Sequence, residues 1–208
     1  MEDTTKHHNR VFNMHIIVEC LAIGAILLLA AYLRLHNVTD NPGWYTDETT
    51  HIIIAQHLLE GRTQYLSINQ SFLLFGRLPL FEYTLAGTMK IFSPDITTLR
   101  LLTGSLGVIS VGTLYAGLRV VQEDRLFPLL AALMLTLYPS AVLYSRFGFS
   151  YTLLTPLVII ICTGLIYYLN TGRQRGLFVT TVALGLGLIS DLMIVALLPV
   201  MLLLILLR

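Results

Sequence analysis

Apolar runs of span length alternate with short charged loops along this chain. They cover 14–33, 97–118, 126–144, 151–169 and 177–207. A transmembrane helix needs about 20 apolar residues, so each of the first four runs predicts one crossing. The last run is too long for one upright helix. Ser190-Asp191 interrupts it and Pro199 follows, which predicts two short helices meeting near Asp191 at the outer face. The total is about six spans, with one strongly tilted helix over 177–207 as the alternative.

The segment 34–96 is mixed. Asn41-Pro42-Gly43 is a turn signal. Residues 49–59 place Ile52, Ala55, Leu58 and Leu59 on one helical face, with Gly61 as the C-terminal stop. A second helical stretch, 79–92, puts Phe81, Leu85, Met89 and Phe92 on one side and carries Glu82 and Lys90. At 1.5 Å per residue it reaches about 21 Å, short of a hydrocarbon core of about 30 Å. Charge gives a second test. If 79–92 does not cross, the arginine-bearing loops 119–125 and 171–175 are both cytoplasmic, as the positive-inside rule favours. The stretch is then an interfacial helix on the outer leaflet, and 34–96 is an outer loop. Residues 1–13, with Lys6 and Arg10, become a cytoplasmic tail. The first run is too long for a signal-peptide core and no small-residue cleavage site follows it, so it reads as a retained anchor. Glu19, near its start, reads as snorkelling to the interface.

Composition agrees. The chain of 208 residues is 55% hydrophobic and 12% charged, with mean hydropathy +0.75. A soluble domain carries about 25% charged residues, so that class is excluded. Cys20 and Cys162 lie inside apolar runs, and no disulfide framework is implied. The chain stops at the end of a span, which reads as the N-terminal part of something longer, 14–208 forming one membrane module.

Candidate chemistry gathers on the expected outer face. Asp47 and Glu48 stand side by side in Gly43-Trp44-Tyr45-Thr46-Asp47-Glu48. Two acids at a membrane surface suit a general base or a metal clamp. The structural reading is also open: Asp47 is a good N-cap, and Glu48 in the first turn suits the helix dipole. Glu48-x-x-His51 places both side chains on one helical face, a spacing that can bind a metal. Arg146 lies where a span emerges, and Arg100 near the outer start of another. Each reads as an interfacial anchor or as a fork for a phosphate. Arg77 reads as a headgroup contact or a supporting cation. Asp191, between apolar helices, is a site candidate or a helix-breaking turn. The sequons Asn37-Val38-Thr39 and Asn69-Gln70-Ser71 matter only in a lumenal eukaryotic protein. No Walker loop, dinucleotide glycine pattern or Cys/His zinc pattern is present. An outer-face site without a nucleotide loop suggests an activated lipid-linked substrate.

An ordered series of motifs carries a resemblance. It runs Leu33-Arg34-Leu35, Trp44-Tyr45-Thr46-Asp47-Glu48, His57-Leu58-Leu59-Glu60-Gly61-Arg62 and Arg77-Leu78-Pro79-Leu80-Phe81-Glu82-Tyr83. It continues with Thr98-Leu99-Arg100-Leu101-Leu102-Thr103-Gly104-Ser105-Leu106-Gly107, Tyr144-Ser145-Arg146, and Gly185-Leu186-Gly187-Leu188 ahead of Leu198-Pro199. The chain resembles the N-terminal half of a GT-C glycosyltransferase of family 39, the protein O-mannosyltransferase and aminoarabinose transferase-like type. The resemblance implies an all-α polytopic membrane protein with juxtamembrane helices in its first loop. It implies Asp47 as the base that deprotonates an acceptor hydroxyl, with Glu48 orienting it. Arg100 and Arg146 would hold the phosphate of a polyprenyl-phosphate sugar. The expected partners are that donor, membrane lipid, and a glycan, lipid or protein acceptor, not nucleic acid. No cofactor is certain, and a divalent metal ion is an open option. The expected location is a bacterial or archaeal inner membrane rather than the endoplasmic reticulum, with the N-terminus cytoplasmic.

The pattern also departs from that family. Leu78 stands where many members have a proline, and Gly76 where lipid A transferases have a glutamate. Tyr151 stands where many have an aspartate. A second active-site carboxylate is then missing, unless Glu82 or Asp191 substitutes. Two other readings remain: a truncated or non-catalytic assembly partner, and a transporter subunit. The transporter is disfavoured because the mid-span regions are nearly free of charge and no repeat occurs.

Overall fold

The computed structural model describes residues 2–43, 45–62 and 79–206. Nine α-helices occupy the described residues: α1 Glu2–Leu35, α2 Thr46–Leu59, α3 Pro79–Ile91, α4 Ile96–Val121, α5 Leu126–Leu137, α6 Pro139–Arg146, α7 Leu154–Thr171, α8 Gln174–Leu188 and α9 Leu198–Leu206. Short 3-10 turns at Ser150–Leu153 and Leu192–Leu197 lead into α7 and α9. No strand occurs among the described residues. This is an all-α polytopic membrane protein.

Three helical segments are long and apolar enough to cross a bilayer: Ile16–Leu35, Ile96–Val121 and Ser150–Thr171. The α5–α6 pair makes a fourth if counted as one broken span, bent by 57°. The expectation of about six spans is therefore met only in part. Both α8 and the apolar stretch Leu192–Leu206 fall short of the length of an upright crossing. The interruption expected near Asp191 is present: α8 ends at Leu188, and the Asp191 carboxylate caps the following turn by accepting from the Met193 N–H at 2.9 Å.

The break between α5 and α6 follows from Pro139. It has no N–H to donate to the Leu135 carbonyl, and it drives Tyr138 into extended backbone. The freed carbonyls are taken up from another helix. Arg34 donates to Leu135 O at 2.9 Å and to Thr136 O at 3.2 Å. A guanidinium buried at the end of α1 thus caps the C-terminus of α5, where the helix dipole favours a cation. Gly107 on α4 lets this happen, since a Cβ there would sit 2.6 Å from Ser145 Cβ and 2.9 Å from Arg34 Cδ.

Glu19 is not a snorkelling residue. It accepts from Tyr115 Oη at 2.7 Å and Arg119 Nε at 2.6 Å, and pairs with Arg125 at 3.2 Å. The start of the α1 span therefore lies against the end of α4, and the two helices run antiparallel. The opposite end of the bundle carries α2, α3, the start of α4 and the 147–153 turn. A main-chain bond from Leu80 N–H to Ile189 O, 3.1 Å, ties α3 to the end of α8 there.

Helix α3 buries Phe81, Leu85, Ala86 and Met89 against α2 and α4. Phe92, expected on that face, is exposed because the helix ends at Ile91. Helix α2 ends as expected, with Gly61 at φ 74° just beyond it. Its buried face differs from the apolar face read from the sequence: it holds Glu48, His51, Ile54 and Ala55, while Leu59 is exposed.

Candidate functional site

Two arginines organise the chain between α1 and α2. Arg146, at the end of α6, donates to the carbonyls of Leu33, His36, Asn37 and Asn41 over 2.6–3.1 Å. Arg100, on the first turns of α4, donates to the carbonyls of Val38, Thr39, Pro42 and Gly43 over 2.8–3.2 Å. A backbone that curls tightly without its own hydrogen-bond ladder leaves carbonyls that need donors. The guanidinium forks supply them.

Arg100 also grips Glu48. Its Nε and Nη2 each lie 2.8 Å from one carboxylate oxygen, a bidentate pair. Glu48 accepts two more bonds, from Gly148 N–H at 2.9 Å and Tyr45 N–H at 3.2 Å. The pair is fully enclosed, with Glu48 at 0% and Arg100 at 1% exposure. Glu48 thus ties four segments together: the 38–43 loop through Arg100, α4, the start of α2, and the 147–149 turn. The N-cap of α2 is Tyr45 rather than Asp47. Asp47 is free of that duty and sits in the first turn, exposed.

Gly148 is required by the close approach. A Cβ there would fall 2.3 Å from Leu99 Cδ2 and 3.2 Å from Glu48 Cγ. Leu99 is fully buried and has nowhere to go. Gly148→Ala is expected to destabilise the protein by about 1–3 kcal/mol through overpacking, read as a lower thermal midpoint in detergent. An unchanged midpoint would show that the turn can retreat.

Beside this locked core lies a cleft of about 510 Å³. One wall is α2, with Tyr45, Asp47 and His51; the other is the end of α6 and the turn after it, with Tyr144, Phe147, Phe149 and Tyr151. The rings form a continuous cluster. Tyr45 meets Phe149 edge-on at 5.2 Å between centroids, and Phe149 stacks on Tyr151 at 4.8 Å. Asp47 and His51 are four residues apart and so share a helical face. Behind His51 stands Glu82 of α3, with Nδ1 and Oε1 2.6 Å apart and both side chains buried.

The placements answer the sequence expectations unevenly. Asp47, His51 and, through His51, Glu82 come together at one cleft. Arg100 and Arg146, expected on a donor phosphate, instead have their N–H groups on backbone carbonyls and Glu48. Glu48 and His51, expected as a metal-type pair, point to different partners. Asp191 works as a local helix cap. Arg77 and the Asn69-Gln70-Ser71 sequon lie outside the described residues. Among the described residues no three His, Cys, Asp or Glu side chains gather as metal ligands. The sequence reading gave no role of its own to Arg34, Gly148 or the aromatic wall. The aromatic run in 144–151 was the visible signal for the last. A second cavity, of about 420 Å³, lies toward the other end of α4 and α7. It is nearly all apolar, and its lining includes no acid.

The fold and cleft define a helical membrane protein with a carboxylate set in an aromatic recess. Residues 77–208 match the family model described as dolichyl-phosphate-mannose-protein mannosyltransferase. With more than half of its length matched, the chain belongs to that family of GT-C-type membrane glycosyltransferases. The acidic pair lies N-terminal to the matched segment. No curated protein and no solved structure matches the chain.

Proposed function

We propose that this protein transfers a sugar from a polyprenyl-phosphate donor to an acceptor hydroxyl at the outer face of a cell membrane, with Asp47 as the general base. The observation that carries this reading is the contrast within the acidic pair. Glu48 is enclosed and saturated with hydrogen bonds, whereas Asp47 is exposed in the cleft. A base must reach the proton that it abstracts, and only Asp47 of the two can do so. The aromatic wall suits a sugar ring or the first isoprene unit of a lipid carrier, both of which present C–H surface to stacked rings.

In this reading the acceptor hydroxyl approaches Asp47 from the water side. Its oxygen attacks the anomeric carbon as the proton passes to the Asp47 carboxylate. The bond from that carbon to the phosphate oxygen breaks, and polyprenyl phosphate leaves. Glu48 keeps the first turn of α2 fixed, so the neighbouring Asp47 keeps its aim.

The test incubates membranes holding the protein with labelled polyprenyl-phosphate sugars and, separately, with nucleotide sugars. Transfer is expected only from the lipid-phosphate donors and is expected to fail with Asp47→Asn. Equal transfer by the two proteins would sink the role of Asp47. Sidedness rests on the positive-inside rule, since Arg119, Arg125, Arg173 and Arg175 lie at the end opposite the cleft. A topology reporter fused after Gly176 should report the cytoplasm, and an external signal would put the cleft on the wrong face for this function.

A further inference from the structure

The cavity at the end opposite the cleft is shaped for an amphipathic guest. Helix α7 packs against both α4 and α8, and it does so at close range. A Cβ on Gly117 of α4 would fall 2.7 Å from Thr163 Cγ2, and one on Gly164 of α7 would fall 2.6 Å from Thr180 Oγ1 of α8. With α7 between α4 and α8, a groove of about 420 Å³ is left among the three helices. It is lined on α4 from Thr113 to Val120 and on α7 from Ile160 to Tyr167. At 1.5 Å per residue it extends about 10 Å along each helix. Ala116, Val120 and Val179 on its sides are exposed, and in a bilayer that surface meets lipid. A groove of this kind accepts a hydrocarbon chain.

The mouth of the groove carries positive charge. Helix α7 ends at Thr171 and α8 begins at Gln174, and Arg175 lines the cavity there. Its side chain is exposed and has no hydrogen-bond or ion-pair partner among the described residues. Arg173 stands at the same rim, donating to Tyr167 Oη at 3.2 Å. By contrast, Arg119 and Arg125 at this end pair with Glu19. Helix α8 also starts at the rim without a side-chain cap, so the positive end of its dipole adds to the field. No acid lines the groove. A second copy of this chain seated there would bring the same unpaired arginine rather than an acid. An apolar groove with a free cation at the membrane interface matches an acyl chain that ends in an anionic headgroup.

We infer that this groove is a binding site for an anionic phospholipid, with one acyl chain lying along α7 and the phosphate at Arg175. In the orientation proposed above, the lipid belongs to the cytoplasmic leaflet and sits across the membrane from Asp47. The inference stands apart from the transferase reading, because it uses no residue of the cleft. Bound there, the lipid bridges α4 and α8. Each arginine near a membrane surface favours an anionic lipid by about fivefold, and an exposed headgroup contact weakens with salt.

The test places the full chain in nanodiscs of equal parts phosphatidylglycerol and phosphatidylcholine with identical acyl chains. The protein is then transferred to detergent, and the retained lipid is counted by native mass spectrometry. Wild type is compared with Arg175→Gln, Ala116→Phe and Arg62→Gln. All three positions are exposed, so the variants keep the buried packing. Arg62, paired with Glu60 just beyond α2, is the control.

Wild type should retain phosphatidylglycerol over phosphatidylcholine by about fivefold or more at low salt, and by less at high salt. Arg175→Gln should lower that preference by about fivefold without lowering retention of phosphatidylcholine. Ala116→Phe fills the groove and should lower retention of both lipids. Arg62→Gln should match wild type. Equal retention of the two lipids by wild type would overturn the site. So would a preference that survives Arg175→Gln, or one that Arg62→Gln removes equally. A dimer that dissociates in Ala116→Phe would make the groove an interface between copies and overturn it as well. The assay contains no sugar donor, so a protein inactive in transfer still gives this result, and a protein without lipid preference leaves the reading of Asp47 untouched.

Discussion

Arg100→Leu is expected to destabilise this protein by about 3–5 kcal/mol, the range for removing one partner of a buried ion pair. The change leaves Glu48 at 0% exposure, with the Tyr45 and Gly148 N–H groups as its remaining partners among the described residues. It also strips the donors from the carbonyls of Val38, Thr39, Pro42 and Gly43. Those losses separate this pair from a simple ion pair. In a simple pair, removing the second charge restores much of the stability, because two apolar groups can replace two charges. Here Glu48→Leu added to Arg100→Leu should restore little, since the four carbonyls stay bereft. Glu48→Gln alone should cost less than Arg100→Leu, because the guanidinium keeps its carbonyl partners. Unfolding titrated with SDS in mixed micelles would give the order. A double variant close to wild type would show that the loop does not depend on Arg100.

The same residues explain what the sequence did and did not disclose. Span-length apolar runs predicted α1, α4, α5–α6 and α7 because lipid-facing helices must be apolar over their length. The α2 face was misread for the opposite reason. Its buried side contains Glu48 and His51, whose burial is made tolerable by Arg100 and Glu82. Those partners lie 52 and 31 residues away in the chain. No local periodicity reports a polar residue that is buried because a distant one neutralises it. The partners of the arginines were hidden in the same way. A lone arginine at the end of a span has the same local pattern whether it meets a phosphate or a row of carbonyls. The difference lies in the path of the 36–43 loop, which is a property of the fold. Asp47 stands exposed in the first turn of α2; its neighbours alone left a helix start open, and its reading as a base came from the resemblance. Tyr151, read as the place of a missing acid, belongs to the aromatic wall, and Glu82 stands behind that cleft against His51.

Asp47→Asn is expected to lower transfer by about 10²–10⁴-fold, the usual worth of general-base help, while leaving the fold intact. The fold should survive because Asp47 is exposed and is not the N-cap of α2. Its charge near the helix N-terminus is worth only about 0.3–1 kcal/mol. Loss of rate without loss of stability is the signature that separates it from its neighbour. Glu48→Gln should lower both together, because Glu48 acts by holding the loop, α4 and the 147–149 turn in register. Asp47→Glu gives a finer test. It restores the carboxylate but moves it by one methylene, and misplacement by about 1 Å can cost about 10²-fold where a reaction depends on aim. Asp47→Glu should therefore fall between wild type and Asp47→Asn in kcat/KM, with a thermal midpoint matching both. If Asp47→Glu were as active as wild type while Asp47→Asn were inactive, charge alone would matter, and the carboxylate would serve as an electrostatic partner to a cationic transition state. If Asp47→Asn kept full rate, the proton of the acceptor would have to leave by another route.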